Sequence, residues 1–444
     1  MTQATTTHVD PYLSEGTSPP HAPENAFVPG YAGLRCRACG TPHETGPLFV
    51  CTRCFGPLEP TYDLPAIAKR VSRSTFDARP ADLWRFAELL PLDRIPTAGL
   101  RVPVSPLTPA PRLARRLGLE RLWIKDDSRN PTLSFKDRVV GVAATRAAEF
   151  GFTTLACAST GNLSASVAAA ANALGMRAVV FVPADLEPAK VAQALALGAT
   201  LVRVDGPYDG VNRLCLELTG ELDGWAVVNV NLRPFYAEGS KTLAYEIAQQ
   251  LGWREPDVVV APLASGSLYT KLGKGFGELA TLGLIDGQHA PRFVGGQAQG
   301  CGPIANAYAD GSEVVSPVER PDTIVRSLAI GNPADGGFAL KLARQSNGGI
   351  YGVPDESTIA AIRLLAETEG ILTETAGGVT LAALGDAIEA GTVKRSDEVV
   401  VVVTGNGLKT LDAIADGIPI PDPIAPTFEA FETWWEQREE ARAV

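Results

Sequence analysis

The sequence predicts an α/β protein, and three observations carry that expectation. Short β-branched runs ending at small or polar residues alternate with segments of helical spacing along most of the chain. The composition, 45% hydrophobic with 44 glycines but only 7% aromatic residues, suits an Ala/Val-rich α/β enzyme better than a β-sandwich. A length of 444 residues accommodates one large or two to three ordinary domains with a sizeable core.

The elements follow in order. Residues 1–30 are Thr- and Pro-rich, have little to bury, and read as a disordered tail. In residues 31–62, Cys36, Cys39, Cys51 and Cys54 form C-x2-C-x11-C-x2-C. Each pair can present two sulfurs to one ion, and two pairs complete a tetrahedron, so a small zinc ribbon is expected. Four thiolates leave no open position, which makes such a zinc structural. A reduced, metal-free turn motif is the competing reading, and disulfides fit poorly because no export signal is visible. From Asp63 to Thr132 the pattern is mixed, with Pro-rich connections and a helix at APRLARRLGL (110–119).

The strand RLWIKDD (121–127) comes next. TLACA (154–158), AVVFV (178–182), TLVRV (200–204), WAVVN (225–229) and DVVVA (257–261) then set a regular beat, which RFVGG (292–296) and SDEVVVVVTG (396–405) continue. Between them, spacings such as Leu163, Val167, Ala171 and Leu174 mark helices, and the alternation means βαβ units in a mostly parallel sheet. Residues 426–444, with Trp434 and Trp435, read as a packing helix with a frayed end. Cys157, Cys215 and Cys301 stand among small or apolar residues and read as packing thiols.

Charge and residue scarcity narrow the function. A formal charge of -11 argues against nucleic acid and anionic membranes. With no 18-residue apolar run and no basic start before an apolar core, the expected location is the cytoplasm. Four histidines, at positions 8, 21, 43 and 289, make a His-based triad improbable, so lysine, a carboxylate or a cofactor must carry protons.

Ligands in open parallel sheets bind beyond the carboxyl ends of strands. That rule selects ASTGNLSAS, NLRPFYAEGSK, PLASGSLYTK and TGNGLKT. In PLASGSLYTK, Ser265, Gly266 and Ser267 let backbone N–H groups approach a phosphate at a helix start. The later GKGFG falls inside a helix and is not a dinucleotide fingerprint. Ser159 to Asn162 offers hydroxyls and N–H groups suited to a carboxylate, and Thr404 is an uncharged hydroxyl at a strand end. In NPTLSFKDRVV (130–140), Ser134 and Asp137 match the capping pattern of a helix beginning near Phe135. Lys136 then lies where the helix dipole disfavours a cation, so it points to solvent or its amine works in the neutral form. A lysine amine, a phosphate cradle, a carboxylate cradle and a neutral hydroxyl together suit pyridoxal phosphate held as a lysine Schiff base, with an amino-acid substrate.

The stretches NPTLSFKDR, ACASTGN, EGSKTLAYE, PLASGSLYTKLGKGF, AIGNPA and TGNGLK resemble, in order, those of the fold-type II pyridoxal-phosphate enzymes, and among these the threonine synthase family most closely. The resemblance runs from about residue 100 to 415, and some longer members also carry a cysteine-rich N-terminal segment. It implies a tryptophan synthase β-like fold, with two open, mostly parallel α/β subdomains within residues 63–425 and a homodimeric assembly. It implies that Lys136 carries the cofactor and that Asn162 bonds the ring hydroxyl. Ala264, Ser265, Gly266, Ser267 and Leu268 would hold the phosphate, and Thr404 would face the pyridine nitrogen and leave it unprotonated. Ser159 and Thr160 would meet the substrate carboxylate. The implied reaction converts O-phospho-L-homoserine and water to L-threonine and phosphate.

The match departs at two places. Asn231 and Tyr236 stand where a shorter type carries Ser and Arg for the substrate phosphate, so Arg233 or Lys241 is the expected substitute. ETAGGVT (374–380) replaces a more usual Glu-Pro-Ala-Ser pattern. The first departure keeps open β-replacement on O-phosphoserine or O-acetylserine, serine/threonine deamination, and a non-catalytic binding role on the same scaffold.

Overall fold

The structure, a computed structural model, describes residues 27–159, 161–184, 191–205, 208–415 and 420–443. The tail expected over residues 1–30 lies outside the described residues up to position 26. Three sheets organise the rest. A small antiparallel sheet of β1 (Tyr31–Cys36), β2 (Pro42–His43) and β3 (Leu58–Tyr62), in the order β2-β1-β3, holds the cysteine segment.

The larger, six-stranded sheet contains β4 (Leu107–Pro109) and β5 (Arg121–Asp126). The chain then leaves it for a four-stranded sheet made of β6 (Thr154–Ala158), β7 (Arg177–Pro183), β8 (Thr200–Val204) and β9 (Trp225–Val227). It returns through β10 (Val258–Pro262), β11 (Arg292–Ala298), β12 (Gly349–Val353) and β13 (Glu398–Val403). The two sheets run β12-β11-β10-β13-β5-β4 and β8-β7-β6-β9. Every pairing in them is parallel except β4 with β5. β10 and β13 are buried along their whole lengths, as strands covered on both faces must be.

All eight expected strand runs form. The helix expected over 110–119 spans Pro111–Leu117 and ends at Gly118, which takes the left-handed conformation of a C-terminal cap. In the two larger sheets β4 and β12 were not foreseen, and the three short strands of the cysteine segment, β1 to β3, were not read individually. The C-terminal helix Phe428–Ala443 exists, but Phe428 is 76% and Trp435 46% exposed, so it does not pack on the core as expected. Among the described residues no helix is long and apolar enough to cross a membrane.

The helix Lys136–Glu149 is central, buried without a break from Asp137 to Ala147. Such an all-round buried helix is rich in Ala and Val, yet it also buries Arg138 completely. Arg138 donates to both oxygens of Asp127 and both of Glu246, and Lys125 donates to Glu246. Two cations and two anions thus neutralise each other inside the protein, and this quartet ties the helix to β5 and to the helix Thr242–Gln250.

Candidate active site

The loop before Lys136 is fastened to the loop after β13. Phe135 N donates to Thr404 O at 2.8 Å, Asn406 N to Leu133 O at 3.1 Å, and Ser134 bridges Gly405. Leu133 takes a positive φ of 63° to make this turn. The capping box expected from Ser134 and Asp137 does not form. The Ser134 hydroxyl accepts instead from Lys136 N, while both oxygens of Asp137 are taken by the N–H and hydroxyl of Thr132 at 2.7 Å. Lys136 therefore begins the helix with its ammonium nitrogen 4.8 Å from the Phe135 ring centroid and 5.9 Å from that of Tyr236.

A third segment closes on these two. Glu374 N donates to Gly405 O, and Thr373 bridges Asn406. The Glu374 side chain receives Asn162 Nδ2 at 2.7 Å and the Thr404 hydroxyl at 3.3 Å. A Cβ on residue 405 would sit 2.4 Å from the Glu374 carboxylate, so glycine is what admits that group. Burial pushes the Glu374 carboxyl above its ordinary range, with Asn162, Lys409, Thr404 and Lys136 pulling the other way. Asn162 and Thr404 therefore meet at one buried carboxylate, and Lys136 follows directly on Phe135, whose N–H is bonded to Thr404 O. Glu374 was missed in the sequence. The signal available was an acidic residue at the start of the small-residue run TAGG, which opens the helix Thr375–Glu389.

The turn Ala264 to Leu268 follows β10 and opens the helix Ser267–Thr281. Gly266 has φ 91°, and a Cβ there would lie 3.0 Å from Asp335 O. This close, strained turn suits only glycine, and it leaves the first N–H groups of a 15-residue helix without carbonyl partners inside it. Unpaired N–H groups at a helix start can receive an anion.

The four loops selected from the sequence all lie at carboxyl ends, after β6, β9, β10 and β13. The substrate residues fare unevenly. Ser159 is buried after β6, and its hydroxyl accepts from Gly161 N. Thr160 lies outside the described residues. Asn231 gives its oxygen to Val227 N and its amide N–H to Trp225 O, closing the end of β9. Arg233 is partly exposed, one helical turn from Tyr236, and pairs with Asp335 at 3.1 Å. Lys241 does not reach an open site. It is fully buried, bonded to Glu238 at 2.7 Å and to Glu278 at 3.0 Å, and stacked 3.7 Å over the Tyr62 ring. The expectation that it receives a substrate phosphate is corrected, because two carboxylates already saturate it.

The sulfurs of Cys36, Cys39, Cys51 and Cys54 all lie within 4.8 Å of one another. Cys36 and Cys54 are 3.5 Å apart and Cys39 and Cys51 3.7 Å apart. A tetrahedral ion with zinc–sulfur bonds of about 2.3 Å sets sulfurs about 3.8 Å apart, so the group fits. The N–H groups of Cys39 and Arg53 point at Cys36 and Cys51 sulfurs. Hydrogen bonds from Thr41 draw the Cys39 thiol down to about 6. All seven cysteines are free, and Cys157, Cys215 and Cys301 are buried as expected.

Comparison with known proteins agrees with this geometry. The family model described as pyridoxal-phosphate dependent enzyme matches residues 100–405. The threonine synthase of Methanosarcina acetivorans is 34% identical, covering 89% of this chain and 97% of that one. That of Methanocaldococcus jannaschii is 36% identical over 85% and 93%. Matches of such extent exceed residues 100–444 and so reach into the N-terminal region. Among solved structures, threonine deaminase isoform 2 from Solanum lycopersicum has a TM-score of 0.59 at 22% identity, over 71% of this chain and 83% of that one. The L-serine ammonia-lyase from Rhizomucor miehei has 0.60 at 20%, over 71% and 98%. These two likenesses speak for the fold alone. With the glycine turn, the lysine at the helix start and the matched sequence in agreement, the chain belongs to the pyridoxal-phosphate dependent enzyme family.

Proposed function

We propose that the chain is a threonine synthase that turns O-phospho-L-homoserine and water into L-threonine and phosphate. The observation that carries this reading is that Asn162 and Thr404, distant in sequence, meet at Glu374 while the loop that ends at Lys136 is fastened to the Thr404 segment. The named relatives support the choice of substrate.

Lys136 would hold pyridoxal phosphate, with Asn162 and Thr404 at its ring and residues 264–268 at its phosphate. When bound, the cofactor supplies an electron sink that acidifies the hydrogens of the substrate's Cα. The Lys136 amine takes a proton from Cα and then one from Cβ, and phosphate leaves Cγ. After water adds at Cβ, Lys136 returns protons to the carbon skeleton. One lysine reaching adjacent carbons accounts for the absence of histidine from the site. Ser159, which follows β6, and Thr160 would receive the substrate carboxylate. With Lys241 saturated, Arg233 is the remaining candidate cation for the leaving phosphate. Asn231 would hold the end of β9 in place rather than bind substrate.

We assign residues 31–62 to a ribbon around one structural zinc, supported by the four-sulfur geometry. Residues 63–425 form the catalytic unit, and 426–444 the terminal helix. The assembly is a cytoplasmic homodimer acting on a small amino acid.

The test is a substrate panel read by phosphate release and threonine formation, with Lys136→Ala as the control. O-Phospho-L-homoserine should yield both products in equal amounts, and the variant neither. Tyr236 in place of an arginine favours β-replacement or deamination as the second reading. Turnover of serine, threonine, O-acetylserine or O-phosphoserine without turnover of O-phospho-L-homoserine would establish it.

A further inference from the structure

Asp335 precedes the helix Gly336–Gln345 in the N-cap position, where an aspartate ordinarily caps its own helix. Here it makes no such cap. One carboxylate oxygen pairs with Arg37 at 2.5 Å and the other with Arg233 at 3.1 Å. Its backbone meets the glycine turn, because Asp335 N donates to Ser265 O at 2.9 Å and Asp335 O limits the space at Gly266. Arg37 lies between the first two cysteines. Its N–H is fixed to Pro57 O at 2.9 Å, and its guanidinium stacks 3.7 Å over the Phe338 ring. Both partners are largely withdrawn from water, with side chains 16% and 7% exposed.

We propose that Arg37 is a positioning residue for the turn that holds the cofactor phosphate, acting through Asp335, so that the cysteine segment completes the site as well as covering it. The proposal rests on the assignment of residues 264–268 to that phosphate. Two physical effects act together. The pair of guanidiniums fixes Asp335, whose backbone shapes the turn at Ser265 and Gly266. They also outweigh its negative charge, which alone would oppose a phosphate dianion beside it. Arg37 touches neither substrate nor cofactor.

The experiment titrates full-length apoprotein with pyridoxal 5'-phosphate and, separately, with pyridoxal, which lacks the phosphate. It compares the wild type with Arg37→Ala, Asp335→Asn and the double variant. Arg37→Ala should weaken pyridoxal phosphate roughly tenfold or more while changing pyridoxal affinity less than about twofold, as expected for a residue that supports a ligand-holding turn. The double variant should be no weaker than Asp335→Asn alone, because Arg37 acts through that carboxylate. The apoprotein melting temperatures identify any variant that misfolds, and Asp335→Asn then tests the same link from the catalytic side. Equal losses for both ligands, or additive losses in the double variant, overturn the proposal. A wild type that does not prefer the phosphorylated ligand overturns the assignment of the turn itself.

Discussion

Glu59 shows how one side chain can lock a segment onto a catalytic unit. Burial would raise its carboxyl, but Lys271 and then Lys274 outweigh that and hold it at about 2. Lys271 bonds Glu59 and Glu238, Lys274 bonds Glu238 and Pro60 O, and Lys241 bonds Glu238 and Glu278. Three carboxylates thus face three ammonium groups across the seam. A carboxyl held below its unfolded value of 4.5 stabilises the fold above that pH, and the contribution disappears as pH falls towards 2. Glu59→Gln should therefore be less stable than wild type at pH 7, with the difference shrinking to nothing between about pH 4.5 and 2. Acid titrations followed by tryptophan fluorescence measure this, and a difference that stays constant across the window would contradict it. At this scale the sequence exposes side chains whose chemistry is local. Lys136, Asn162, Gly266 and Thr404 each sit at a strand-to-helix junction of small residues. Glu374 was not legible as a site residue because Asn162 lies far along the chain, and the burial of Lys241 was not legible because, beside the nearby Glu238, its second carboxylate comes from another helix. Asn162 is 212 residues from Glu374, and Glu278 is 37 from Lys241.

Among the elements, the helix Lys136–Glu149 sets the position of the amine that we propose to be reactive, that of Lys136. It is anchored from inside by Arg138, which is wholly buried with Asp127, Glu246 and Lys125. Removing one member of a buried ionic group strands its partners, at a cost of about 3–5 kcal/mol. Arg138→Met should lower stability in urea by that order, and a loss below about 1 kcal/mol, the range of a surface pair, would show that the quartet does not anchor the helix. Periodicity revealed the strands that are continuous β-branched runs, such as β10 and β13. It did not reveal β12, whose sequence GIYGV begins and nearly ends with glycine and lacks the run of β-branched residues. It also missed β4, three residues ending in Pro109, which tolerates proline because it is an edge strand with a free side. The C-terminal helix was read as packing because it carries Trp434 and Trp435. These rings associate with one another and with Phe431 rather than with the core.

For the whole molecule, the sequence indicated parallel α/β organisation but not the division into two sheets. β5 and β13 are neighbours although paired residues such as Arg121 and Glu398 are 277 positions apart, and β6 to β9 form their own sheet between β5 and β10. That arrangement brings Asn162, after β6, and Thr404, after β13, to the same carboxylate, and it depends on long-range pairing that local pattern does not encode. The cysteine segment docks on the helix Ser267–Thr281 through Glu59 and on Asp335 through Arg37, and Asp335 in turn bonds the turn after β10 at Ser265. The central claim is that this framework exists to hold pyridoxal phosphate on the amine of Lys136. The direct measurement is borohydride reduction of the cofactor-loaded protein, followed by peptide mapping by mass spectrometry. One phosphopyridoxyl adduct on the peptide containing Lys136 is the expected result; an adduct on a different lysine, or none, would contradict the account.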